Sequence, residues 1–121
     1  MQDRSDAELL HDYAGRGQET AFRELVTRHA DLVFSAALRQ VNSPDLASDI
    51  TQEVFLDLAR KARTVAGRLT AGGTLAGWLF RSTRYAALNH MRDDRLRVEH
   101  ERQAMEQLLT NTSPAPDWER V

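Results

Sequence analysis

The 121-residue chain contains no cysteine, which excludes disulfides, thiolate catalysis and cysteine-ligated zinc, and fits a reducing compartment. Nowhere do eighteen apolar residues run together, and the stretch 1–12 is charged and lacks an apolar core. Neither a membrane span nor a signal peptide is therefore expected, and a cytoplasmic location is the default. Metal chemistry has little to work with. None of the four histidines stands at ligand spacing, and there is no HExxH motif or glycine-rich phosphate loop, so neither a metal nor a cofactor is expected. The apolar fraction is an ordinary 41%, β-branched residues are sparse, and Ala, Leu, Arg, Glu, Asp and Gln dominate the composition. That balance indicates an all-α protein with a single core, a compact bundle of about four helices.

The net charge of −2 hides two opposed halves. Residues 1–59 carry 5 Lys/Arg against 11 Asp/Glu, residues 60–102 carry 10 against 4, and residues 103–121 carry 1 against 3. An acidic half followed by a basic half points to two surfaces for two partners, the basic one meeting a polyanion.

Ser5-Asp6-Ala7-Glu8 has the pattern of a capping box and opens a first helix that runs to about Arg16. After Gly15 and Gly17, apolar residues recur at three- and four-residue spacing from Ala21 to Val41, predicting a long second helix. Ser43 and Pro44 stop and restart the chain, because Ser43 can cap and Pro44 suits the first helical position. A third helix is expected from Pro44 to roughly Arg63. The segment from Thr64 to Thr74 holds Gly67, Thr70, Gly72 and Gly73 and reads as a loop of about ten residues. Thr74 then caps a fourth helix that continues to about Leu109, and residues 110–121, with Pro114 and Pro116, read as a linker.

On a wheel of about 100° per residue, Ala47, Thr51, Val54, Phe55 and Leu58 form the inner side of the third helix. Asp49, Gln52, Glu53, Leu56 and Arg60 form the outer side. Asp49 and Glu53 are a like-charged i,i+4 pair around an outward Leu56, an arrangement suited to a basic partner or, more simply, to solvent. Asp49, Glu53 and Asp57 could be imagined as catalytic carboxylates, but a convex face of this kind offers no pocket, so an enzyme is not expected. In the fourth helix Leu75, Ala76, Leu79, Phe80, Ala86 and Ala87 are assigned to the buried arc. Arg81, Arg84, Arg92 and Arg95 share an arc of about 80° on the far side, where they can follow a phosphate backbone. Trp78 and Tyr85 border that stripe and are candidates for base stacking. For Trp78 a place in the core is an equal alternative. His90 is expected in or just beyond the core.

The run Ser48-Asp49-Ile50-Thr51-Gln52-Glu53-Val54-Phe55 resembles the region 2.2 signature of extracytoplasmic-function (ECF) sigma factors. Ala21-Phe22-Arg23-Glu24-Leu25-Val26 with Arg28-His29 is similar to region 2.1, and Gly77-Trp78-Leu79-Phe80-Arg81 with Arg84 and Asn89-His90-Met91-Arg92 to regions 2.3 and 2.4. The resemblance covers roughly residues 7–105. It implies a promoter-melting domain, residues 1–109, whose Asp49, Gln52, Glu53 and Leu56 grip the coiled coil of the RNA polymerase β′ subunit. It also implies capture of a flipped base of the −10 element, on the non-template strand, by the segment from about Val65 to Thr74. Arg68, Trp78, Arg81, Arg84, Tyr85, Asn89, Arg92 and Arg95 are then the DNA-binding residues. Tyr85 stands where the family usually has Asn, and Asn89 where Asp is common, which leaves base preference open. An anti-sigma factor is an optional further partner. Residues 110–121, ending Asp117-Trp118-Glu119-Arg120-Val121, look like the approach to a second, DNA-reading domain, region 4, that the chain does not include. The alternative reading is a helical protein–protein interaction domain whose basic helix binds an acidic partner.

Overall fold

The computed structural model describes residues 4–112, and all of its regular structure among these is helical. Five helices follow one another: α1 (Asp6–Arg16), α2 (Glu19–Val41), α3 (Pro44–Arg60), α4 (Ala62–Thr70) and α5 (Leu75–Thr112). Contacts divide the chain into two units, Met1–Leu88 and Asn89–Val121.

In the first unit the helix ends follow local chemistry. At α1 the Glu8 amide donates to Ser5 Oγ at 3.1 Å and the Ser5 amide to Glu8 Oε1 at 2.9 Å, a reciprocal cap that satisfies two otherwise orphan donors. Gly17 closes the helix in the left-handed conformation, φ 67°, where a side chain would be strained. Asn42 closes α2 in the same region, φ 53°. Ser43 Oγ then accepts from the Leu46 amide at 3.2 Å, with Pro44 in the first turn of α3.

The core joins Leu9 and Leu10 of α1, Leu25 and Val33 of α2, Ile50, Val54 and Leu58 of α3, Val65 of α4, and Leu75 and Leu79 of α5. Polar ties cross between helices. His29 Nε2 lies 2.9 Å from Asp6 Oδ2, Arg28 Nη1 lies 3.2 Å from Asp6 Oδ1, and His11 Nε2 lies 3.0 Å from Thr70 Oγ1.

The structure corrects the sequence reading of the helices at three places. The expected long loop from Thr64 to Thr74 is mostly helix. α3 ends at Arg60, the chain bends at Lys61 (φ −106°, ψ 17°), and α4 follows at once. Ala62, Val65 and Ala66 are buried and Leu69 packs beside them, an i, i+3, i+4, i+7 stripe that buries more than one helical glycine costs, about 1 kcal/mol for Gly67. The irregular part shrinks to residues 71–74, where Gly72 takes φ 108° and the Gly73 amide donates to Arg68 O at 2.9 Å. There are accordingly five helices where about four were expected.

The second correction is the rotation of α5. Trp78 is buried at 8% exposure and Thr83 is fully covered, whereas Phe80 is 48% exposed and Ala76 is exposed. The buried arc is thus turned by about 40° from the expected one. Thr83 sits inside it because its hydroxyl donates to Leu79 O at 2.7 Å, which removes the cost of burying an unpaired polar group. Third, α5 continues through Thr112, past the expected end near Leu109; the linker reading of residues 113–121 lies outside the described residues.

The second unit is the distal stretch of α5. None of residues 89–110 is buried, and His90 is half-buried. Arg97 pairs with Asp94 and Glu101, and Arg102 with Glu99 and Glu106.

Candidate functional site

The outer face of α3 emerges as the wheel requires. Asp49, Gln52 and Glu53 are exposed, and Leu56 is 56% exposed among them. Beside it runs an almost wholly apolar groove of about 390 Å³, formed by Phe22 and Val26 of α2 with Thr51, Gln52, Phe55, Leu56 and Ala59 of α3. Sequence reasoning took Phe22, Val26 and Phe55 only as core. Their edges also line this groove, which widens the acidic, leucine-centred face into an amphipathic one.

On the other flank of α3, Glu53, Asp57 and Lys61 recur every fourth residue and line one wall of a cleft of about 250 Å³. Arg68 of α4 and Trp78, Arg81, Ser82, Tyr85 and Ala86 of α5 complete it. The expectation of a simply convex α3 surface is therefore corrected for Glu53: helices α4 and α5 rise beside it. The cleft combines two carboxylates, three cations, two hydroxyls and two aromatic rings. Tyr85 is 69% exposed and offers a ring to a ligand, whereas Trp78 is largely buried. Of the two readings of Trp78, the core one holds for most of its surface. Asp57, which the sequence reading weighed only as a catalytic carboxylate and set aside, lies one turn beyond Glu53 on the same stripe. Its Oδ1 lies 3.3 Å from Arg60 Nη1.

The start of α5 is fixed by Thr74, whose Oγ1 accepts from the Gly77 amide at 3.0 Å. A Cβ on Gly77 would stand 2.9 Å from that oxygen and 3.4 Å from Arg81 Nη1. Only glycine lets the cap and the Arg81 side chain share this corner without displacement.

Not every expected residue joins the cleft. Glu53, Arg68, Trp78, Arg81 and Tyr85 come together there, while Arg84 is exposed outside it. Asn89, Arg92 and Arg95 belong to the second unit. Arg92 Nη2 donates to Asn89 Oδ1 at 3.0 Å, and Arg95 is exposed. Among the described residues there is no group of three His, Cys, Asp or Glu that could hold a metal ion, and no helix long and apolar enough to cross a membrane.

A family model described as sigma-70 region 2 matches residues 25–97, more than half of the chain. The chain belongs to the sigma-70 region 2 family. Among curated proteins and among solved structures nothing matches. The matched span contains the whole α3 face and every residue lining the cleft. Region 2 is a non-enzymatic domain of transcription initiation factors that binds core RNA polymerase and recognises the promoter −10 element. Membership thus favours this role over the alternative of an interaction domain for an acidic protein.

Proposed function

We propose that this sigma region 2 domain is of the ECF type, that it docks on the β′ coiled coil through Asp49, Gln52, Glu53 and Leu56, and that it holds one base of the non-template −10 strand in the cleft between α3 and α5. The observation that carries the reading is the cleft itself. It gathers an exposed aromatic ring and three cations on the segment matched to the family. Extruding a base costs a few kcal/mol, and stacking on an aromatic ring returns about 1–3 kcal/mol. Tyr85 is the stacking candidate, with Arg68, Arg81 and Arg84 holding neighbouring phosphates; Arg92 and Arg95 are further DNA-binding candidates. With no nucleotide-driven motor, melting is capture of a base exposed by spontaneous opening. The apolar groove beside Leu56 enlarges the docking face, and an anti-sigma factor would compete there. A cytoplasmic site of action follows from the partners.

Docking and capture separate experimentally. Changing Gln52 and Glu53 together to Ala weakens binding to core polymerase at least tenfold, as loss of a hot spot does, with thermal unfolding unchanged. Tyr85→Ala leaves polymerase affinity intact and weakens binding to a −10 non-template oligonucleotide. Undiminished polymerase affinity in the first variant removes the α3 face as the dock, and undiminished oligonucleotide affinity in the second removes Tyr85 from the site.

A further inference from the structure

The carboxylates of the cleft lie on one side. Glu53 and Asp57 both come from α3, with Lys61 following them on the same wall, while α4 and α5 contribute Arg68, Arg81, Ser82 and Tyr85. A phosphate brings only acceptor oxygens, so it is repelled by the α3 carboxylates and drawn to the arginines opposite. An ionised carboxylate is acceptor-only and offers about four sites. At Asp57 one of these meets Arg60 in an exposed contact, the kind of pair that water and salt weaken readily. A ligand that fills this cleft must therefore present hydrogen-bond donors toward α3 while its backbone lies toward α4 and α5. Among the groups of a DNA strand, exocyclic amino groups meet that requirement, and Asp or Glu accepting from such a group is an established mode of base readout.

We infer that Asp57 is a specificity-determining residue of the cleft, selecting a captured base that carries an exocyclic amino group. Asp57 rather than Glu53 is assigned because Glu53 also belongs to the face that docks on polymerase. The inference rests on the capture reading above and goes beyond it in naming the chemistry of the base. It assigns a role to a residue of α3, outside the turn and the aromatic helix that hold the strand.

The test uses the full chain bound to core polymerase and fluorescent −10 non-template oligonucleotides. An abasic site is first moved through every position to find the captured one. There the parent binds adenine roughly tenfold better than purine, which lacks the amino group, and cytosine better than thymine by a similar factor. Asp57→Ala and Asp57→Leu, whose side chains can accept no hydrogen bond, both shrink the adenine-to-purine ratio to about twofold or less, with affinity for the abasic strand unchanged. If an abasic site at one position weakens binding but the parent holds adenine and purine alike, capture stands and the assignment of Asp57 is overturned. It is equally overturned if both variants tighten binding to every strand by one common factor, since the carboxylate then only repels phosphate. If no abasic site weakens binding, the capture reading falls and takes the role of Asp57 with it.

Discussion

Helix α5 is one continuous helix with two sources of stability. From Leu75 to Leu88 it inserts Leu75, Trp78, Leu79, Thr83, Ala86 and Ala87 into the shared core. From Asn89 to residue 110 no side chain is buried, and Leu96, Val98, Met105, Leu108 and Leu109 are more than half exposed. What local chemistry offers there is a ladder of ion pairs around Arg97 and Arg102. Most helical stability in proteins comes from packing an amphipathic face, and exposed pairs add little. The two stretches share a backbone and differ in how far a mutation in them is felt. A residue that shapes the cleft is held by the core, whereas Arg92 and Arg95 are carried by a helix with local support.

The largest effect that sharpens this contrast is at Leu79, fully buried. Leu79→Ala destabilises the domain by about 2–5 kcal/mol, while Met105→Ala in the distal stretch changes global stability by less than about 0.5 kcal/mol. Denaturant titrations of both variants check the pair, and equal losses would show that the distal stretch shares the core's cooperativity. A smaller effect is expected at the junction before α5. Gly77→Ala displaces the Thr74 hydroxyl and costs about 1 kcal/mol in lost capping, visible as a lower melting temperature and faster exchange of the first α5 amides.

The smallest effect lies in the ladder. Hydrogen bonding from Arg102 holds the Glu99 carboxyl below the ordinary glutamate value. A depressed carboxyl pKa stabilises the folded helix above the unfolded value, and that contribution fades as the pH falls through the folded one. NMR titration of the Glu99 carboxyl carbon should give a midpoint below 4.5, the ordinary value. Arg102→Ala should return the midpoint toward that value and speed amide exchange in the distal stretch without altering global unfolding.

Much of the framework was legible because the signals were local. Ser5 with Glu8, and Ser43 with Pro44, announce helix starts through single residues, and the α3 wheel separates Val54 and Leu58 from Gln52 and Leu56 by period alone. α4 was not legible in the same way. Gly67 and Thr70 look like punctuation until α1 provides a surface for Val65 and Ala66, and that surface is tertiary information. Thr83 misled in the opposite sense: as a hydroxyl it counts as polar, yet its bond to Leu79 O makes it a core residue, and omitting it pulled the predicted arc toward Phe80. The cleft was half legible. Glu53, Arg68, Trp78, Arg81 and Tyr85 were singled out individually, but that they surround one cavity depends on the bend at Lys61, which no single residue there announces.

The central claim, that this region 2 domain grips one extruded base rather than the strand as a whole, is tested most directly by an abasic scan. The chain, bound to core polymerase, is titrated into −10 non-template oligonucleotides with a single abasic site at each position in turn. Base capture in the cleft predicts a sharp loss of affinity at one position, a loss that Tyr85→Ala abolishes by making the parent strand bind as weakly as the abasic one. A flat profile across all positions, with binding that responds to salt alone, would contradict it.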